Sequence, residues 1–157
     1  MKISLIAVGT KMPKWVTTAF QEYQKRLPKQ CQLELKEIPA KHRGKNADTA
    51  RILRDEARDI IQAVDKDQLL IVLDRKGRHI STEKLAEELQ HWIDNNQNVA
   101  LVIGGPEGIS KELIEESDKL WSLSTMTFAH PLVRVMLAEQ IYRGWSIIAG
   151  LPYHRGE

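Results

Sequence analysis

Three stretches of this chain are apolar almost end to end: Ile3 to Val8, Leu69 to Leu73 and Val99 to Ile103. A strand with one face in water alternates apolar and polar residues. Strands without that alternation are covered on both faces. The segments between them have helical spacing. From Lys14 to Leu27 the apolar residues are Trp15, Val16, Ala19, Phe20, Tyr23 and Leu27, and Pro28 stops the helix. Asp48 to Val64 carries Ile52, Leu53, Ala57, Ile60, Ile61 and Val64. A helix capped by Ser81 carries Leu85, Leu89, Trp92 and Ile93.

Two further strands complete the pattern. In the first, Leu33 and Leu35 alternate with Glu34 and Lys36 before Ile38, which suits a sheet edge; the second is Leu120 to Leu123. The strand at Leu69 is expected to close at Asp74, and Ser110 to cap a short helix through Ile114. Strands alternating with helices predict an α/β fold with a mostly parallel sheet flanked by helices. Ligands of such sheets sit beyond the carboxyl ends of the strands, here after Leu73, Ile103 and Leu123.

A length of 157 residues suits one domain spanning 1–157. The net charge is only +2, so a nucleic-acid partner requires locally concentrated charge. Candidates are Lys25-Arg26 with Lys29, the loop Lys41 to Lys45, the turn Arg75 to His79, and Arg155. Cys31 is the sole cysteine, which rules out an internal disulfide and a cysteine-based zinc cage and suits the cytoplasm. The five histidines lack metal-ligand spacing, so no metal is expected. No apolar run reaches membrane-spanning length, so no membrane association is expected.

The last helix, opened by Pro131 and ended by Gly150, is apolar nearly all round. Its polar side is narrow (Glu139, Gln140, Arg143 and Ser146), with Arg134 roughly opposite. A helix of this kind needs cover on more than one side, and in a small chain a second copy is the natural cover. A homodimer is therefore expected.

The stretch Leu101-Val102-Ile103-Gly104-Gly105-Pro106-Glu107-Gly108 is a strand running into a tight glycine turn. Its glycines permit positive φ and close approach of a ligand to the backbone. It matches neither G-x-G-x-x-G nor the P-loop, so it offers no phosphate cradle. That favours an adenosine group without phosphates over NAD or ATP.

Residues 101–108, the run Leu123-Ser124-Thr125-Met126-Thr127-Phe128-Ala129-His130, and the ending Leu-Pro-Tyr-His-Arg-Gly-Glu (151–157) together resemble one family. It is the RlmH family of the SPOUT class, large-subunit ribosomal RNA pseudouridine N3-methyltransferases, and the resemblance spans essentially the whole chain. It implies a trefoil-knotted α/β fold, an obligate homodimer, S-adenosylmethionine as methyl donor, and a ribosomal RNA or ribosome substrate. It places the cofactor against Leu73, Gly104 and the Leu123–Phe128 loop (Leu123, Ser124, Thr125, Met126, Thr127 and Phe128), with Gly105 and Gly108 shaping the same pocket.

The same resemblance implies that the tail 151–157 completes the partner's active site. His154 and Arg155 are the candidates for removing the N3 imide proton or stabilising the imidate it leaves, and Tyr153 for stacking on a base. Arg143 is a further cationic candidate. His130 is either a site group or a structural one before Pro131. The alternative to an enzyme is a non-catalytic RNA-binding module on the same fold.

Overall fold

The computed structural model describes residues 1–41, 44 and 48–155. In chain order its elements are β1 (Lys2–Val8), α1 (Lys14–Gln24), β2 (Gln32–Ile38), α2 (Thr49–Ala63), β3 (Leu69–His79) and α3 (Thr82–Asp94). They continue as β4 (Val99–Ile103), α4 (Lys111–Glu116), β5 (Lys119–Ser122), α5 (His130–Ala149) and a 3₁₀ turn over Pro152–Arg155. The five strands form one sheet in the order β2-β1-β4-β3-β5. Every adjacent pair is parallel, with Leu5 opposite both Leu35 and Leu101, and Ile71 opposite Leu101. The β2 strand is an edge, as its alternation predicts.

Side chains alternate across the sheet even where hydropathy does not. Ile3, Leu5, Ala7, Ile71, Val99, Leu101 and Ile103 pack with Phe20 of α1, Leu89 and Trp92 of α3, and Leu137 and Ile141 of α5. Ile6, Val8, Leu70, Val72, Ala100 and Val102 pack on the other face with Ala57 and Ile60 of α2 and Leu113 of α4. The unbroken apolar runs are thus two half-cores interleaved along each strand, covered by helices on both faces.

Local chemistry sets the helix ends. The side chains of Asp48, Ser81 and Ser110 accept hydrogen bonds from the backbone N–H of Arg51, Lys84 and Leu113 at 3.2, 3.0 and 3.1 Å. Gly150 closes α5 with φ of 71°.

Two boundaries differ from the sequence expectation. Helix α1 ends at Gln24 instead of Leu27. Pro28 disfavours helical backbone in the residue before it, and the chain leaves through tighter bonds, Arg26 N–H to Tyr23 O and Leu27 N–H to Gln24 O. Strand β3 does not close at Asp74. It leaves the ladder after Leu73, which pairs with Trp121, and rejoins at Arg78, which pairs with the same Trp121. The excursion is stabilised by the Asp74 carboxylate accepting from Lys76 N–H at 3.0 Å. It returns at Gly77, where a Cβ would lie 2.6 Å from the Trp121 carbonyl carbon. Only a residue without a side chain fits there.

Along α5, Val135, Met136, Tyr142, Trp145, Ile147 and Ile148 are only half-buried and Leu132 is exposed. Of the narrow polar side only Ser146 is buried, its hydroxyl donating to the Arg143 carbonyl at 2.6 Å. No helix among the described residues is long and apolar enough to cross a membrane.

Candidate active site

The carboxyl ends of β4 and β5 and the point where β3 leaves the ladder after Leu73 border a cavity of about 560 Å³. Leu73, Asp74 and Arg75 line it from β3, Ile103 and Gly104 from β4, and Ser122 and Leu123 from β5. The turn from Gly105 to Ile109 forms one rim. Ser124, Met126, Thr127 and Phe128 form another, and His130 and Val133 enter from the start of α5. The structure thus brings together nine of the ten residues assigned to the cofactor. The tenth, Thr125, is exposed in the same loop and is not part of the lining.

The two rims are built by local hydrogen bonds. Gly108 N–H donates to Gly105 O at 2.9 Å, making a turn with Pro106 at its second position. Of the motif's glycines only Gly108 takes positive φ, at 84°. Gly104 is needed for space: a Cβ there would lie 2.6 Å from Ile109 Cδ1 and 2.7 Å from the Gly108 carbonyl oxygen. The sequence suggested that glycine admits a ligand to the backbone. At Gly104 it admits the folded-back turn itself. In the second rim, Ser122 Oγ donates to Ser124 O at 3.0 Å and Ser124 Oγ accepts from Met126 N–H at 3.0 Å. Met126 is left 68% exposed at the mouth.

Behind the cavity lies a buried charge cluster that periodicity did not reveal. Arg134, 1% exposed, donates to Glu37 Oε2 at 2.7 Å and to the Gly9 carbonyl at 2.7 Å. Its Nη2 is 3.5 Å from His130 Nε2. Burial pushes the His130 imidazole below the usual histidine range, Arg134 adds to that, and the Gly104 backbone opposes both. The available signal was Arg134 itself, a lone charge within an apolar helix surface, because a charged residue buried there needs a partner.

The tail lies elsewhere on the same chain. Tyr153 OH is 3.2 Å from both Tyr23 OH and Glu139 Oε1. Its ring meets Tyr142 edge-on at 4.8 Å, and the Arg143 guanidinium lies 4.9 Å from its centroid. Arg143 donates to Glu139 at 2.7 Å and to the Tyr153 carbonyl at 3.3 Å. Burial, then the Tyr23 hydrogen bond and Glu139, push the Tyr153 phenol upward, so it stays protonated. His154 is half-buried and Arg155 exposed. At about 1.5 Å per helical residue, Glu139 and Arg143 are ~14 and ~20 Å along α5 from His130. Within one chain, therefore, Arg143, Tyr153, His154 and Arg155 do not meet the cavity. Of the basic loop Lys41–Lys45, Lys41 pairs with Asp59 at 2.9 Å, while His42, Arg43 and Lys45 fall outside the described residues. Among the described residues no group of three His, Cys, Asp or Glu side chains gathers to hold a metal.

A parallel five-stranded sheet with this strand order, its cavity walled by a glycine turn and a second strand-end loop, is the architecture of a SPOUT methyltransferase. The structure of a probable methylase family protein from Haemophilus influenzae Rd KW20 superposes with a TM-score of 0.60, covering 96% of this chain and 69% of that one. At 12% identity that likeness concerns the fold. The family model described as "Predicted SPOUT methyltransferase" matches residues 1–154.

Three relatives carry the name ribosomal RNA large subunit methyltransferase H. The protein from Thioalkalivibrio sulfidiphilus (strain HL-EbGR7) is 53% identical over 155 residues, 99% of each chain. Those from Ectopseudomonas mendocina (strain ymp) and Hydrogenovibrio crunogenus (strain DSM 25203 / XCL-2) are each 49% identical over 155 residues. They align with 99% of this chain and with 100% and 99% of their own lengths. The chain belongs to this methyltransferase H family of the SPOUT class.

Proposed function

We propose that this chain is a ribosomal RNA large-subunit methyltransferase that transfers a methyl group from S-adenosylmethionine to N3 of a pseudouridine, acting as a homodimer in the cytoplasm. The observation that carries the reading is the cavity bordered by β3, β4 and β5, in a chain alignable end to end with relatives of that name.

The lining fits an adenosine group. Leu73, Ile103, Leu123 and Phe128 offer apolar walls to a base, and the glycine turn and the β5–α5 loop border it on two sides. Neither rim is a phosphate cradle. When bound, the cofactor supplies an activated methyl group on a sulfonium, and the protein's task is alignment and a competent nucleophile.

N3 of a pseudouridine carries a weakly acidic proton that has to leave. His154 is assigned to accepting that proton and Arg155 to stabilising the negative charge left on the imide. They lie beyond the reach of their own cavity, so the reading places them at the cavity of a second copy. The half-buried apolar side of α5 supports a partner there. Tyr153 and Arg143 then serve by holding the tail on α5 through Glu139 and Tyr23. Arg75 lines the cavity, and with Lys76 and Arg78 on the same stretch of β3 it is assigned the positive charge that meets the RNA.

The test has two arms. Calorimetry of the purified protein with adenosylmethionine should show binding, and large-subunit RNA from cells lacking the protein should lose one methylated pseudouridine by mass spectrometry. Absence of binding heat would favour a non-catalytic RNA-binding module. An unchanged RNA methylation profile would refute the substrate.

A further inference from the structure

The buried cluster behind the cavity has no part in methyl transfer as proposed above, yet it touches the cavity wall. Arg134 sits one helical turn after His130 on α5, so both side chains lie on the same face. Its three contacts tie together pieces distant in sequence: Glu37 at the end of β2, the Gly9 carbonyl just past β1, and the His130 imidazole, which lines the cavity. Burying a guanidinium is costly unless its donors are satisfied. Glu37 and Gly9 satisfy two at 2.7 Å each, His130 is a further neighbour of Nη2 at 3.5 Å, and Nε is buried without a hydrogen-bond partner.

Arginine can only donate, so the ring nitrogen facing it has to accept. That favours the tautomer with Nε2 bare and the proton on Nδ1. Nδ1 is itself buried and makes no hydrogen bond of good geometry in the chain, although the Gly104 backbone lies near enough to the ring to favour its protonated form.

We propose that Arg134 is a positioning residue of the cofactor cavity: from its buried seat on Glu37 and Gly9 it holds His130 as a neutral Nδ1–H imidazole wall between the ends of β4 and α5. Protonating His130 would set a second cation against Arg134 and release the ring from that seat, so the cavity keeps its shape only with the imidazole neutral. The other charged groups facing the cavity are Asp74 and Arg75 from β3 and Glu107 from the glycine turn. The β5–α5 loop contributes Ser124, Met126, Thr127 and Phe128, all uncharged.

The cofactor part of this inference rests on the reading above; the geometry of the clasp does not. Two substitutions act on the imidazole with opposite sign. Arg134→Met removes the neighbouring cation, so His130 should titrate at higher pH than in the wild-type protein. Glu37→Gln removes the carboxylate that offsets Arg134, so His130 should titrate at lower pH.

The experiment is a pH titration of the histidine ¹⁵N and ¹³C resonances in the ligand-free protein, with His130→Gln to assign the signal. Nitrogen shifts of the Nδ1–H tautomer, and midpoints moving up in one variant and down in the other, are expected. An Nε2–H tautomer, or midpoints that do not move, overturns the proposal. Should Arg134→Met fail to fold, Glu37→Gln with the tautomer decides alone.

A second measurement, calorimetry with adenosylmethionine across the same pH range, should show affinity flat above the His130 midpoint. Below it the affinity should fall about tenfold per pH unit, and His130→Gln should lose that fall. Affinity without that fall in the wild-type protein overturns the link to the cavity. No binding at any pH overturns the functional reading instead, and the resonance titration still judges the clasp.

Discussion

Replacing Gly104 with alanine puts one methyl group where the glycine turn folds back on β4. The new Cβ would stand 2.6 Å from Ile109 Cδ1 and 2.7 Å from the Gly108 carbonyl oxygen. The first neighbour is the end of a flexible side chain and can swing aside. The second is backbone, held by the 2.9 Å bond from Gly108 N–H to Gly105 O. Ordinary contact begins near ~3.4 Å, so the carbonyl has to retreat by ~0.7 Å, and overpacking of this kind costs ~1–3 kcal/mol.

A chain of 157 residues unfolds with an entropy of ~0.33 kcal/mol/K, so the expected fall in Tm is ~3–9 °C. The displaced backbone is also a cavity rim, so adenosylmethionine affinity should drop at least tenfold while the protein stays folded. Differential scanning calorimetry and titration calorimetry read the two effects. The double variant with Ile109→Ala separates them, because it relieves the side-chain clash and leaves the backbone one. A Gly104→Ala protein with wild-type Tm and affinity would refute the reasoning, as would full rescue by Ile109→Ala.

Cys31 is fully buried, and burial pushes its thiol up to about 11. At pH 8 only ~0.1% is thiolate, so alkylation should be slow until denaturant unfolds the chain; labelling of the native protein at the rate of free cysteine would contradict this. Deleting residues 153–157 should abolish methylation and spare cofactor binding, as read by a methyl-transfer assay beside calorimetry, and a truncated protein with full activity would remove the tail from the mechanism. RNA affinity should fall steeply between low and physiological salt if the Arg75–His79 segment contacts phosphate, and an affinity flat in salt would exclude that footprint.

Much of the architecture was legible because burial leaves a mark on composition. The runs Ile3–Val8, Leu69–Leu73 and Val99–Ile103 have no polar face to offer water, which specified a parallel sheet between helices. Caps at Ser81 and Ser110 were legible for a similar reason, since a hydroxyl satisfies a helix N-terminus through bonds three residues long. The three chain segments that border the cavity followed from the general placement of ligands in α/β sheets.

What escaped the sequence depends on neighbours far along the chain. The β3 excursion exists because Gly77 meets the backbone of Leu120 and Trp121, some forty residues later. Arg134 is buried because Glu37, 97 residues away in the chain, waits beside Gly9. Tyr153 is pinned by Tyr23, 130 residues earlier. No local pattern encodes such partners, because a charge or hydroxyl is placed by whatever donor or acceptor the fold brings within ~3 Å of it. The sequence by itself determined which segments had to be buried and which of them would border a cavity. Only the tertiary structure decided which polar side chains were drawn inside to hold that cavity in shape, since their energy comes from pairing across the fold.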